Sequence, residues 1–283
     1  MVDTWWFNLV VYLMLFTVYT QFYKKATKKS KNDGALTIIL QFLGGAIVLL
    51  LVPLFKFQFP SDVRTYIFLG IACAFYALSD RLNTTARRGL EVSVHSILGQ
   101  LNTVFVVIWG IIFFKEGIIP IKLLGALLIV AGNVAVLYKK GKFEWNKYVL
   151  FSLIANVTMS IGISIDVGIS DQFNLPFYVA MTLIVPSLFI LLVERVKFKT
   201  LTREIKHGDK KSILLVGVSW GTMLVAMLRA YQFGSVTTIA PLCALTTIIN
   251  VFVAYFALKE RNSIVRKAIA AIIAVIGILL IKL

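Results

Sequence analysis

Tyr76, Asp80, Asn83 and Arg87 follow one another at steps of four, three and four residues, which on an α-helix is a single face. The surrounding stretch is otherwise apolar. Inside such a helix each ionisable group costs about 3 kcal/mol unless it meets a partner or a wet cavity. Two readings follow. The stripe lines a cavity that recognises a polar solute, or Asp80 and Arg87 neutralise each other across two turns. The next apolar stretch carries a second stripe, Glu91, His95, Leu98, Asn102 and Trp109. Imidazole titrates near neutral pH and a carboxylate one turn away can tune it, so Glu91 and His95 are candidates for proton coupling. The alternative is that both sit at a helix mouth, with Glu91 a favourable partner for the N-terminal dipole. Asn102 lies deeper and is a candidate for lining.

A later stretch offers Asn156, Ser160 and Ser164 on one face and Thr158, Gly162 and Asp166 on another. Small and hydroxyl residues commonly mediate helix packing in membranes, which accounts for most of these. Asp166 is harder to dismiss. Arg229 needs an acidic partner, Asp166 or Glu91, or an anionic ligand. Cys73 and Cys243 have no neighbours at metal-ligand spacing and read as packing residues. No metal site is expected. No P-loop, nucleophile elbow, zinc pattern or Rossmann glycine run is present, so neither an enzyme nor a cofactor is expected.

The elements that must hold these residues are membrane helices. Of 283 residues 59% are hydrophobic and 15% charged, and the mean hydropathy is +0.88. A soluble domain of that length has too little interior for so much apolar surface. Runs of about 18–22 apolar residues span a bilayer as helices. They recur at about Trp5–Tyr23, Leu36–Phe55, Thr65–Leu82, Val92–Phe114, Ile118–Tyr138, Tyr148–Ser170, Leu175–Val193, Ser212–Phe233, Val236–Leu258 and Val265–Ile281. The longest connection, Glu194–Lys211, reads as a loop. The net charge of +16 does not indicate nucleic acid, because the basic residues lie in short loops between spans. The first span has no basic leader or cleavage site and reads as an anchor.

The chain also repeats itself. With Lys115-Glu116 laid on Lys259-Glu260, a shift of about 144 positions, Leu101 falls on Leu245, Thr103 on Thr247, Ala126 on Ala270 and Ile129 on Ile273. Glu116 and Glu260, at equivalent points, suggest a structural task such as holding the turn or pairing with Lys122 and Arg266. The first stripe then has Trp220, Leu224, Met227 and Tyr231 as its counterparts, and Asn102 has Thr246. One copy of the face is ionisable and the other aromatic and soft. Ten spans make two sets of five, residues 1–140 and 141–283. Five is odd, so the second set enters from the opposite side and the repeat is inverted. The loops agree. Lys24, Lys25, Lys28, Lys29 and Lys31 follow the first span, whereas its counterpart is followed by Asp171 without Lys or Arg. After the second span come only Lys56 and Arg64, whereas its counterpart is followed by Arg195, Lys197, Lys199, Arg203, Lys206, Lys210 and Lys211. The positive-inside rule then puts both termini outside the cytoplasm. The expected fold is an all-α integral membrane protein of ten transmembrane helices in two inverted five-helix repeats.

The run ending Phe114-Lys115-Glu116, followed by Leu123-Leu124-Gly125-Ala126-Leu127-Leu128-Ile129-Val130-Ala131-Gly132, resembles the EamA-type transporters of the drug/metabolite transporter superfamily. Ala240-Pro241-Leu242 through Phe256-Ala257-Leu258-Lys259-Glu260-Arg261 looks like the same module. Its Pro241 matches a proline usual in the family, where the first copy has Ile97. The resemblance implies a ten-helix carrier whose third, fourth, eighth and ninth helices line a central cavity. Relatives often keep both termini in the cytoplasm, against the charge bias here.

The expected function is therefore a secondary transporter of small polar or amphipathic, amino-acid-like metabolites. It is an exporter in a prokaryotic inner membrane, working by alternating access. Tyr76, Asp80, Asn83, Arg87, Asn102, Trp220, Tyr231 and Thr246 are expected to bind substrate, and Glu91 and His95 are the candidates for proton coupling. The expected partners are a small-molecule substrate and membrane lipid, with the protein a monomer or homodimer. The alternative is a nucleotide-sugar or phosphosugar carrier served by Arg81, Arg87 and Arg229. A different class is a membrane channel or scaffold without a transport cycle.

Overall fold

A computed structural model of the chain describes residues 4–113, 119–139, 142–233 and 236–282. Its helices are α1 (Trp5–Lys29), α2 (Asp33–Leu49), α3 (Val63–Gly89), α4 (Val92–Leu98), α5 (Leu101–Phe113), α6 (Pro120–Leu137), α7 (Lys147–Ile169), α8 (Leu175–Val193), α9 (Phe198–His207), α10 (Lys210–Phe233), α11 (Val236–Ala257) and α12 (Ile264–Lys282). A two-residue antiparallel ribbon, Tyr138–Lys139 with Lys142–Phe143, joins α6 to the rest. Among the described residues, eight helical stretches are long and apolar enough to cross a membrane.

Two expected spans fall outside those eight. Helix α1 carries Asn8, Thr20, Gln21 and Lys24, all of them buried, so its polar residues face protein rather than lipid. In α11 the stretch Leu242–Ala257 is apolar but short. The fourth span is also not one continuous helix. It breaks between α4 and α5 at Gly99-Gln100, where the amides of Gln100, Asn102 and Thr103 bond back three residues instead of four. Glycine propagates helix poorly, and Asn156 of α7 donates to the Leu98 carbonyl at 3.2 Å, satisfying an acceptor that the break frees. The expected loop Glu194–Lys211 contains α9. Phe198, Leu201 and Ile205 recur there at helical spacing among charged residues, the pattern of a surface-lying helix.

The main helix neighbours are α1 with α10, α3 with α7, α6 with α12, and α2 with both α8 and α10. Helix α4 also packs on α11, α5 on α7, α1 on α11 and α3 on α8. The two largest apolar cores among the described residues follow from this packing. One gathers Tyr23, Leu40, Leu183 and Val216; the other gathers Ile97, Ile129, Val251 and Ala270. Large apolar side chains such as Met14, Leu127 and Phe256 point outward, as lipid contact requires.

Helices α6 and α12 touch backbone to backbone. A Cβ on Gly125 would collide with the carbonyl oxygen of Gly277, and one on Gly277 with that of Gly125. Lipid tails supply no hydrophobic drive between helices, so such close approach carries the contact. Gly125→Val and Gly277→Val are each expected to destabilise by about 1–3 kcal/mol, read as lower melting temperature in detergent. Gly70, inside α3, has open space around its Cβ position, and Gly70→Ala should hold or raise the melting temperature.

Candidate functional site

Part of each polar stripe reaches a cavity of about 320 Å³ in the middle of the bundle. Tyr76 and Asp80 reach it from α3, Asn102 from α5, Asp166 from α7, Tyr178 from α8 and Trp220 from α10. Tyr12 and Phe16 of α1 wall it and also border a second chamber of about 310 Å³, which holds Gln100, Thr103 and Thr246. Asn102 and Met227 border both chambers. Two further clefts, between α3 and α8 and among α3, α5 and α7, have almost wholly apolar linings, as grooves facing lipid do.

Both carboxylates of the cavity are held by neutral donors. Gln41 Nε2 donates to Asp80 Oδ2 at 2.7 Å. The Tyr76 hydroxyl donates to Asp166 Oδ2 at 2.5 Å, and the Tyr178 hydroxyl donates to Asp166 Oδ1. Gly162 makes room for this arrangement: a Cβ there would stand 2.7 Å from the Tyr76 ring. One turn of α7 thus supplies both the carboxylate and the seat for the phenol that binds it.

The rest of the first stripe points elsewhere. The Arg87 guanidinium lies 5.0 Å from the centre of the Tyr19 ring and 4.8 Å from that of Tyr23, outside the cavity lining. Trp220 continues that aromatic cluster, 5.3 Å from Tyr19. Asp80 and Arg87 form no direct ion pair, although Arg87 is within electrostatic range of the carboxylate. Asn83 Oδ1 meets His95 Nε2 at 3.1 Å. Tyr231 belongs to α10, but its side chain lies outside the described residues, as does the whole of Glu116. Arg229 stacks on Phe55 and Phe233 and donates to Gln232 at 3.3 Å.

Toward the basic loops the bundle is closed by a layer of charges and backbone bonds. Glu91 pairs with Lys267 of α12, whose side chain is 0% exposed. Glu260 accepts from the Val92 and Ser93 amides at 2.7 and 3.1 Å and from the Ser93 hydroxyl at 2.6 Å, so it caps α4. It therefore reaches across the bundle, and its bonds go to neither Lys122 nor Arg266. Lys24 Nζ donates to the carbonyls of Arg87, Arg88 and Leu90 at 2.6, 2.9 and 2.5 Å, closing the C-terminal end of α3. Arg88 pairs with Asp33. Glu91 and His95, one turn apart in sequence, are thus bonded to different partners. Gln41, Tyr178, Lys24 and Lys267 were not singled out by sequence reasoning. Gln41 and Lys267 carried a signal, each a polar group within an apolar run.

Residues 4–138 match the EamA-like transporter family. A solved crystal structure has 13% identity to the chain and a TM-score of 0.58, the match covering 97% of this chain and 94% of that one. At that identity the likeness concerns the fold alone. No curated protein matches the chain.

Proposed function

We propose that this chain, whose residues 4–138 match the EamA-like transporter family of the drug/metabolite transporter superfamily, is an integral membrane carrier that exports a small polar or amphipathic metabolite through the central cavity. The observation that carries this reading is a cavity bounded by both halves of the chain, with polar groups converging inside it and a charged layer closing its basic side. The family is one of transporters. Substrate, direction and cycle are our inference.

The helix neighbours support an inverted pair of five-helix repeats, residues 1–140 and 141–283, in a prokaryotic inner membrane. Exchange the halves, counting α4 and α5 as one span and leaving out α9. The contact of α1 with α10 becomes that of α7 with α3, and α1 with α11 becomes α7 with α5. The pair α2 and α10 becomes α8 and α3, while α2–α8, α4–α11 and α6–α12 map onto themselves. Two related halves around one site are what alternating access needs. The anionic alternative gains no support from the arginines. Arg81 is paired with Glu194, Arg87 is enclosed by tyrosines, and Arg229 stacks on phenylalanines at the far end of α10.

Proton coupling through Glu91 and His95 belongs to this proposal. Glu91 faces Lys267, and His95 faces Asn83 with Arg87 and Lys24 within electrostatic range. A proton on Glu91 would weaken the closing layer, giving a pH gradient a handle on opening. The test is counterflow in proteoliposomes loaded with a metabolite panel. Transport should accelerate under an imposed pH gradient, and Glu91→Gln should abolish that response while exchange without a gradient persists. Absence of counterflow for the whole panel would refute the carrier reading.

A further inference from the structure

The geometry points to a small organic cation as the occupant of the central cavity, its protonated amine held by Asp166. This rests on the reading of that cavity as the transport site. The two carboxylates there are not equivalent. Asp80 has a fixed cation within electrostatic range, Arg87, two turns along its own face and lying against two tyrosine rings. Asp166 has only the phenol hydroxyls of Tyr76 and Tyr178. Among the described residues it forms no ion pair. A carboxylate in a low-dielectric interior without a counter-charge costs several kcal/mol, and a bound ammonium removes that cost. Both phenols donate to the carboxylate, which leaves their oxygen lone pairs free to accept from the same ammonium.

The remaining surface favours the same ligand. Asn102 Oδ1 is buried without a hydrogen-bond partner and its residue lines the same space, so it is a further acceptor in need of a donor. The aromatic side chains of Phe16 and Trp220 in the wall suit a cation more than an anion. No Lys, Arg or His belongs to the described lining. A cavity of about 320 Å³ is at the small end for ligand sites, roughly 300–1,000 Å³, and fits a single-ring amine.

The test uses the purified full chain and three probes of similar shape: 2-phenylethylamine as cation, 2-phenylethanol as neutral form and phenylacetate as anion. Calorimetry at neutral pH should give the amine an affinity at least about tenfold above the other two. Asp166→Asn, which keeps hydrogen-bonding capacity toward both tyrosines, should erase that preference, and Asp166→Glu should retain it. Equal or tighter binding of the neutral or anionic probe by the wild type would overturn the inference, with no variant needed. So would a preference that survives Asp166→Asn, or no binding of any probe. The carrier reading would still stand in each case if the metabolite panel shows counterflow, and would fall separately if it does not.

Discussion

Glu91→Ala is expected to destabilise the protein by about 3 kcal/mol, because it strands a buried cation. Lys267 is wholly enclosed, and Glu91 is its ion-pair partner. Removing one member of such a pair costs far more than replacing both with apolar groups of similar volume. The double variant Glu91→Leu with Lys267→Met should therefore melt within about 1 kcal/mol of the wild type, and Lys267→Met alone should fall between the two. Thermal unfolding in a mild detergent measures all three. A Glu91→Ala protein as stable as the wild type would mean that Lys267 is not held by Glu91. The same experiment bears on transport, since this pair, the Glu260 cap on α4 and the Lys24 bonds to the end of α3 make up the layer that closes the basic side.

Asp80→Ala and Asn102→Leu are each expected to lower transport by about tenfold or more, with membrane abundance largely intact. Both side chains face the cavity, and a buried hydrogen-bonding or charged contact with a ligand is worth at least about 1.4 kcal/mol, or tenfold. Asn102→Leu fills space that two chambers share and removes an acceptor. Asp80→Ala removes a carboxylate from the cavity wall and leaves Gln41 without its acceptor. Metabolite flux in proteoliposomes, normalised to reconstituted protein, is the readout. Wild-type flux in both variants would remove these faces from the translocation path.

How much of this could be read in the sequence differs by the kind of fact. Helix periodicity is local, so the alignment of Tyr76 with Asp80 on one face follows from spacing alone, and the repeat brought Trp220 opposite them. Asn102 and Thr246 border one chamber for the same reason. Which neighbour a face meets is not local. Gln41 binds a residue 39 positions away, and Glu260 one 168 positions away. Periodicity also puts Arg87 in the lining, whereas its long side chain leaves the stripe to lie against Tyr19 and Tyr23. The break at Gly99-Gln100 had no distinctive signature among scattered glycines. It depends on Asn156, a residue of another helix that accommodates the freed carbonyl. Asp166 is legible as a carboxylate within an apolar run, but its tyrosine partners come from α3 and α8.

Cysteine accessibility at the cavity tests the central claim, a carrier that opens to one side at a time, most directly. The protein would carry Asn102→Cys in a background of Cys73→Ala and Cys243→Ala, reconstituted and labelled by an impermeant maleimide from either face. Alternating access predicts a reciprocal response to Glu91→Gln, which weakens the closing layer. Labelling from the basic face should rise by about tenfold, while labelling from the opposite face falls. Rates that rise together from both faces would indicate a channel, and no labelling from either face a scaffold; each result would contradict the account.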